Sequence, residues 1–285
     1  MALLNSFTSG ISAVKTFGKS LEVIGDNIAN VNTTGFKGSR MTNQDNFSQT
    51  LERSSAGVAG AAGASGTNAM QVGGGTSVAS ISQQFTQGVL STTGGPADLG
   101  VAGKGFFKVY NTESTEYLYT RAGDFRLDDA GHLLTNQGLK LVGATQTTGI
   151  TIPPLNANKP LASYSIDNAG YIKAYYSGNT APVKIDQILL TTFSDPNALE
   201  RVSGNLLKNP GVNGADAGAA GAKLATAGAT ATQAGEIKQG TLELSNVDLT
   251  QQFSDLILAQ RAFQAGSRII TVSDSVMEEI INLKR

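Results

Sequence analysis

If this chain performs chemistry, few residues are available for it. Its only histidine is His132, and it has no cysteine. A disulfide framework and a thiolate metal site are thereby excluded, and a hydroxyl-imidazole relay would have to be built on His132 alone. His132 sits in DDAGHLL, which reads as a turn entering a strand, the setting of a half-packed or solvated residue. GVAGKGFF, residues 100–107, brings a lysine among glycines. A phosphate-binding loop needs Gly-Lys followed by Ser or Thr and then a helix. Here Gly105, Phe106 and Phe107 come next, which suit a bent strand. DFRLDDAG lacks the alternating oxygen ligands of a calcium loop. Asp128-Asp129 and Glu278-Glu279 are neighbours along the chain, not opposed pairs fit for acid and base work. The basic residues are scattered, with no aromatic interleaving to stack bases. No enzyme activity, cofactor or metal is expected.

The densest polar stretch has a different character. NIANVNTTGFKGSR, residues 27–40, holds no His, Cys or acid. Asn27 and Asn30 lie one helical turn apart and can bond the last carbonyls of a helix or a neighbour's backbone. Gly35 suits the left-handed residue that ends a helix. Phe36 anchors the chain beyond that turn, and Lys37 with Arg40 places positive charge near a helix C-terminus. A plain cap explains Gly35. A junction that also touches adjacent subunits explains the repeated Asn as well.

Long helices must position this segment. Leu4, Phe7, Ile11, Val14, Gly18, Leu21, Gly25 and Ile28 recur at 3-4 spacing, a heptad seam. Leu3, Phe17, Ile24 and Val31 form a second strip. At the other end, Asn246 or Asp248 can cap a helix. Leu256, Phe263, Ile270 and Met277 then recur every seven residues, with Phe253, Gln260, Ser267, Asp274 and Ile281 as seam partners. Ile269, Val276 and Leu283 make a further strip. Helices of about 28 and 35 residues would span ~42 and ~50 Å. Gly10, Gly18, Gly25 and Gly266 each cost about 1 kcal/mol in a helix interior. Neither helix should therefore be robust alone, and the two are expected to pair as a coiled coil. That pairing leaves Phe17, Ile24, Ile269 and Val276 as apolar surface for copies of the chain to cover. The other reading packs both helices on the β region as its core.

The chain has 285 residues, a formal net charge of -1 and 34 glycines. Nothing in that balance draws it to nucleic acid, and no apolar run reaches the ~20 residues of a membrane helix. The N-terminus lacks the features of a cleavable signal peptide. Residues 54–69 and 214–235 are low in complexity, as surface loops or as segments that order against a neighbour. Residues 72–212 alternate and turn as short strands: TSVASISQQF, DLGVAGKGFFKVY, three strands across YLYTRAGDFRLDDAGHLLTNQGLKLVG, a hairpin at Asn168-Ala169-Gly170, and VKIDQILLTTF as one strand. The expected fold is α+β, an antiparallel sandwich or irregular barrel between two terminal helices.

With both ends in view, the chain resembles the bacterial flagellar axial family of rod and hook proteins over essentially its whole length. The likeness rests on Asn27, Asn30, Gly35, Phe36 and Lys37 near the start. In the middle it rests on Asp98, Gly105, Phe106, Phe107, Thr120, Arg121, Gly123 and Phe125. Near the end it rests on Gly240, Leu242, Glu243, Ser245, Asn246, Val247, Gln260, Arg261 and Phe263. The resemblance implies a structural subunit of a tubular helical homopolymer. Residues 1–34 and 246–285 would form an inner coiled-coil domain. Residues 35–71 would be junction and linker, and 72–245, with the loop 213–236, an outer β domain. It also implies contact with other axial, junction and hook-cap proteins, and export by the flagellar type III apparatus, with no nucleic acid and no membrane insertion. LNSFTSGISAV, EEIINLKR and TNAMQVGGGTSVASISQQFTQG favour a short hook protein, outside the cell. The short region 145–205 keeps open the distal rod subunit, in the basal body. A secreted β-rich binding protein or enzyme on a helical stalk is the alternative of another class.

Overall fold

The computed structural model describes residues 2–54, 66, 68–114, 116–153, 161–177, 181–193, 195–210, 222–226 and 235–283. The low-complexity stretches at 54–69 and 214–235 fall largely outside them, as does the side chain of Leu4. The chain forms two compact units, one of residues 1–29, 39–82 and 248–285, the other of residues 30–38 and 83–247.

The first unit holds α1, Ala2–Ala29, and α2, Leu249–Leu283, of 28 and 35 residues. It also holds β1 (Ser39–Asp45), β2 (Ser48–Glu52), β3 (Met70–Gly73) and β4 (Thr76–Gln83), with β1 beside β4 and β2 beside β3. Asp248 caps α2 through its Oδ1, which accepts from the amide of Thr250 at 2.8 Å. The two helices run antiparallel and meet at their small residues. A side chain on Gly10 would lie 3.1 Å from Ile270, and one on Gly266 would lie 3.1 Å from Val14. Gly18 faces Phe263. Close approach of this kind gives glycine in a helix its compensating contacts.

The register of α2 differs from the expected one. Toward α1 it turns the partly or fully buried Gln252, Leu256, Ala259, Phe263, Gly266, Ile270 and Ser273. Phe253, Gln260, Ser267, Asp274 and Ile281 are exposed instead. Both sets satisfy heptad spacing beside Leu256, Phe263 and Ile270. The small set wins because helices at glycine-to-side-chain distance leave no room for Phe253 or Gln260. On α1, Gly10 is buried while Gly25 is exposed. Ile24, expected on the surface, is buried, and Phe17 is half-buried. The reason is that α1 lies against β1 as well as α2. Thr16 Oγ1 also donates to the Thr76 carbonyl at 3.3 Å, and Ser12 Oγ accepts from the Thr76 amide at 3.2 Å.

The second unit is mainly antiparallel β. Its strands are β5 (Leu90–Thr92), β6 (Leu99–Ala102), β7 (Phe106–Asn111), β8 (Glu116–Thr120), β9 (Phe125–Leu127), β10 (Leu133–Thr135) and β11 (Lys140–Leu141). After them come β12 (Leu161–Ile166), β13 (Tyr171–Tyr176), β14 (Val183–Gln187), β15 (Leu189–Phe193), β16 (Glu200–Val202), β17 (Leu206–Lys208), β18 (Ala222–Thr226), β19 (Glu236–Gln239) and β20 (Thr241–Glu243). The main sheet runs β16-β17-β8-β7-β11-β10-β9, with β15 bridging β7 and β18. β12-β13-β14 make a separate sheet, β19 pairs with β6, and β20 pairs with β5. VKIDQILLTTF, expected as one strand, is divided between two sheets, with Ile188 fully buried between β14 and β15. Apolar residues of the main sheet, of β12-β13-β14 and of the β6-β19 pair, among them Phe107, Val109, Leu141, Ile172, Leu190 and Ile237, close one core. Phe107 meets Phe125 edge-on with centroids 5.3 Å apart.

Candidate assembly surface and junction

In the first unit the expected seam residues divide by exposure. Ile11, Val14, Phe17, Leu21 and Ile28 on α1 are half-buried, as are Leu256, Phe263 and Ile270 on α2. Phe7, Phe253 and Met277 are exposed. So are Gln260 and Arg261, the latter donating to Gln264 at 3.4 Å. α2 also keeps a large exposed apolar surface: Ile257, Leu258, Ile269, Val272, Ile280 and Leu283 are all exposed, Leu283 to 86%. Leu258, Val272 and Leu283 fall on one side at helical spacing, turned away from the seam, while Ile269 lies at the edge of the seam, its Cγ2 3.3 Å from the Cβ position of Gly10. Contiguous exposed apolar surface of this kind is found at interaction sites.

Asn27 is buried to 3% exposure and acts within this unit. Its Nδ2 donates to the Ser39 carbonyl at 2.8 Å and to Gln252 Oε1 at 3.0 Å. Its Oδ1 accepts from the Ser39 amide at 2.8 Å. One amide thus replaces a missing strand partner for β1.

The second unit contains the remainder of the motif. Asn30 accepts from the Thr33 hydroxyl at 3.1 Å. Gly35 has φ +66°, and a Cβ there would lie 2.5 Å from the Ala122 amide nitrogen. Its own amide donates to the Glu243 carbonyl at 2.8 Å. Phe36 is buried, with the guanidinium of Arg201 over its ring at 4.8 Å. Asn246 accepts from the Gly38 amide at 2.8 Å and donates to the Gln84 carbonyl at 2.7 Å and the Thr86 hydroxyl at 2.8 Å.

Lys37 does not sit in water as a helix-terminal charge. It is 6% exposed, and its Nζ donates to Glu243 Oε1 at 2.5 Å and to the Thr86 carbonyl at 2.8 Å. Arg121 donates to Glu243 Oε2 at 3.1 Å and to the Gly103 carbonyl at 2.6 Å. The Gly88 amide also donates to Glu243 Oε1, at 2.9 Å. Burial lowers the pKa of Lys37 and of Arg121, and the bonds and charge of Glu243 oppose that shift. Glu243 and Arg121 are visible in the sequence only as matched motif positions. Their ion pair joins residues 122 apart, and nothing local announces it.

Among the described residues, no three His, Asp or Glu side chains gather as metal ligands. No described helix is long and apolar enough to cross a membrane. His132 accepts or donates at Thr151 Oγ1, 2.9 Å away, as a strand-edge contact.

Three family models match the chain: "Flagella basal body rod protein" over residues 7–37, "Flagellar hook protein FlgE/F/G D1 domain" over 100–174, and "Flagellar basal body rod FlgEFG protein C-terminal" over 238–283. Their segments carry the junction, β6 to β13, and α2. A Bacillus subtilis flagellar basal-body rod protein FlgG is 39% identical over 284 residues, covering 99% of this chain and 100% of that one. The Caulobacter vibrioides protein of the same name is 34% identical, with both chains covered in full. The Treponema pallidum flagellar hook protein FlgE is 41% identical over 142 residues, which are 50% of this chain and 30% of that one. The chain belongs to the flagellar rod and hook axial protein family.

Proposed function

We propose that the chain is a structural subunit of the flagellar basal-body rod, the distal rod alternative rather than the short hook protein that the sequence favoured. The observation that carries this reading is coverage. Relatives named as rod proteins match from end to end, whereas the hook-named relative matches half of the chain. The role is mechanical, without catalysis. Subunits polymerise with copies of themselves and with other axial components, and reach the site through the flagellar type III export apparatus. The α1–α2 pair extends into a coiled-coil inner layer, in which the outer strip of α2 is covered by neighbouring subunits. Phe253, Gln260 and Arg261, exposed beside the α1 contact, and Met277, exposed one heptad beyond Ile270, belong to that intersubunit surface.

Imaging of basal bodies from cells lacking the gene tests the assignment. An incomplete rod is expected. A complete rod with no hook would transfer the chain to the hook. Purified protein should form polymers that sediment when seeded with basal-body fragments; a chain that stays monomeric at high concentration would remove the polymer reading.

A further inference from the structure

Two cations and one carboxylate are buried together in the second unit. Lys37, Arg121 and Glu243 are 6%, 7% and 1% exposed. The cluster therefore carries one positive charge in excess. Arg121 Nε is buried and has no hydrogen-bond partner. A buried ion without its counter-ion is strongly unfavourable, and two like charges at one buried point are worse. Glu243 is the carboxylate bonded to both cations.

The segment that brings Glu243 brings three further closures. The Glu243 carbonyl accepts from Gly35, its Oε1 accepts from Gly88, and Asn246 clasps Gly38, Gln84 and Thr86. Residues 35–38, 84–88 and 121 are thus joined through one short stretch, 243–246. Lys37 and Glu243 stand 206 residues apart. Until that stretch is in place, Lys37 and Arg121 are better left in water than driven together.

We infer that Glu243 is a lock: it makes the ordering of residues 35–38 conditional on the arrival of residues 243–246, so that this unit closes only when the segment leading directly into α2 is present. A chain without its C-terminal part keeps the junction open and is withheld from assembly. That use rests on the rod-subunit reading; the lock itself does not.

The test is amide hydrogen exchange on the full-length monomer carrying Glu243→Gln. Glutamine keeps the volume and an acceptor oxygen but removes the charge. Exchange at residues 35–38 and 86–88 should accelerate about a hundredfold, with the amides of Val109 and Leu118 in the central sheet unchanged. Wild-type protection throughout would overturn the lock, since it would mean that Glu243 only fills space. Should E243Q unfold altogether, the full chain carrying Lys37→Met with E243Q decides. Removing one uncompensated cation should restore the fold with about tenfold or better recovery of protection. A double variant no better than E243Q would overturn the inference. Sedimentation of wild-type protein is scored separately. Local opening in E243Q with no polymer from wild type would leave the lock standing and remove only the rod-subunit reading.

Discussion

At Gly35 a side chain has nowhere to go. The positive φ and the backbone of Ala122 both exclude a Cβ, so Gly35→Ala should cost about 2 kcal/mol or more in chemical denaturation. Lys37 offers a second residue-scale test. Its folded pKa lies below 10.5, with burial the leading cause. Arg121 and Glu243 are the charged groups that act on it. The folded protein therefore releases this proton at a lower pH than the unfolded chain does. Stability should rise as pH climbs through the depressed value toward 10.5, and be lost again as pH falls through it. Lys37→Met should abolish that slope, as read from melting temperatures across the alkaline range. The left-handed role of Gly35 was legible in the sequence, because glycine after a helix carries a local meaning. The burial of Lys37 was not, because a lysine becomes a core residue only when a distant carboxylate meets it.

The helices pose the same problem at the next scale. Both lengths come from periodicity and caps. The face that α2 turns inward does not, because Leu256, Phe263 and Ile270 accept either of two sets of heptad partners. Packing selects Ala259, Gly266 and Ser273, which allow the axes to approach. Gly266→Val should press on Val14 and Ala13 and lower stability by about 1–3 kcal/mol, measured by loss of helical circular dichroism in denaturant. Asn27→Ala leaves the Ser39 amide and carbonyl without their partner and should cost about 1–3 kcal/mol on the same assay. Gly25→Ala is the control: nothing lies within 4 Å of its Cβ position, so a gain of about 0.5–1 kcal/mol from helix propensity is expected.

For the whole molecule, the distinction between inward and outward residues decides which change tests assembly. Ile270 packs against the site of Gly10, so Ile270→Asp would break the helix pair inside one chain. Ile269 reaches the same Gly10 site, whereas Leu258 and Val272 are exposed to 68% and 61%. The double variant L258D/V272D should leave the monomer's circular dichroism and melting unchanged and abolish seeded polymerisation. Polymers of normal yield from that variant would dissociate the strip from assembly.

The amino-acid order by itself determined the two terminal helices, the antiparallel β character between them, the left-handed Gly35 and the family, because these depend on local spacing, on turn chemistry or on motifs read along the chain. Only the tertiary structure decided which side of α2 faces inward, that Ile24 is covered, and that Lys37, Arg121 and Glu243 form one buried cluster. Those outcomes depend on how closely distant segments approach, and on which charge meets which once water is gone.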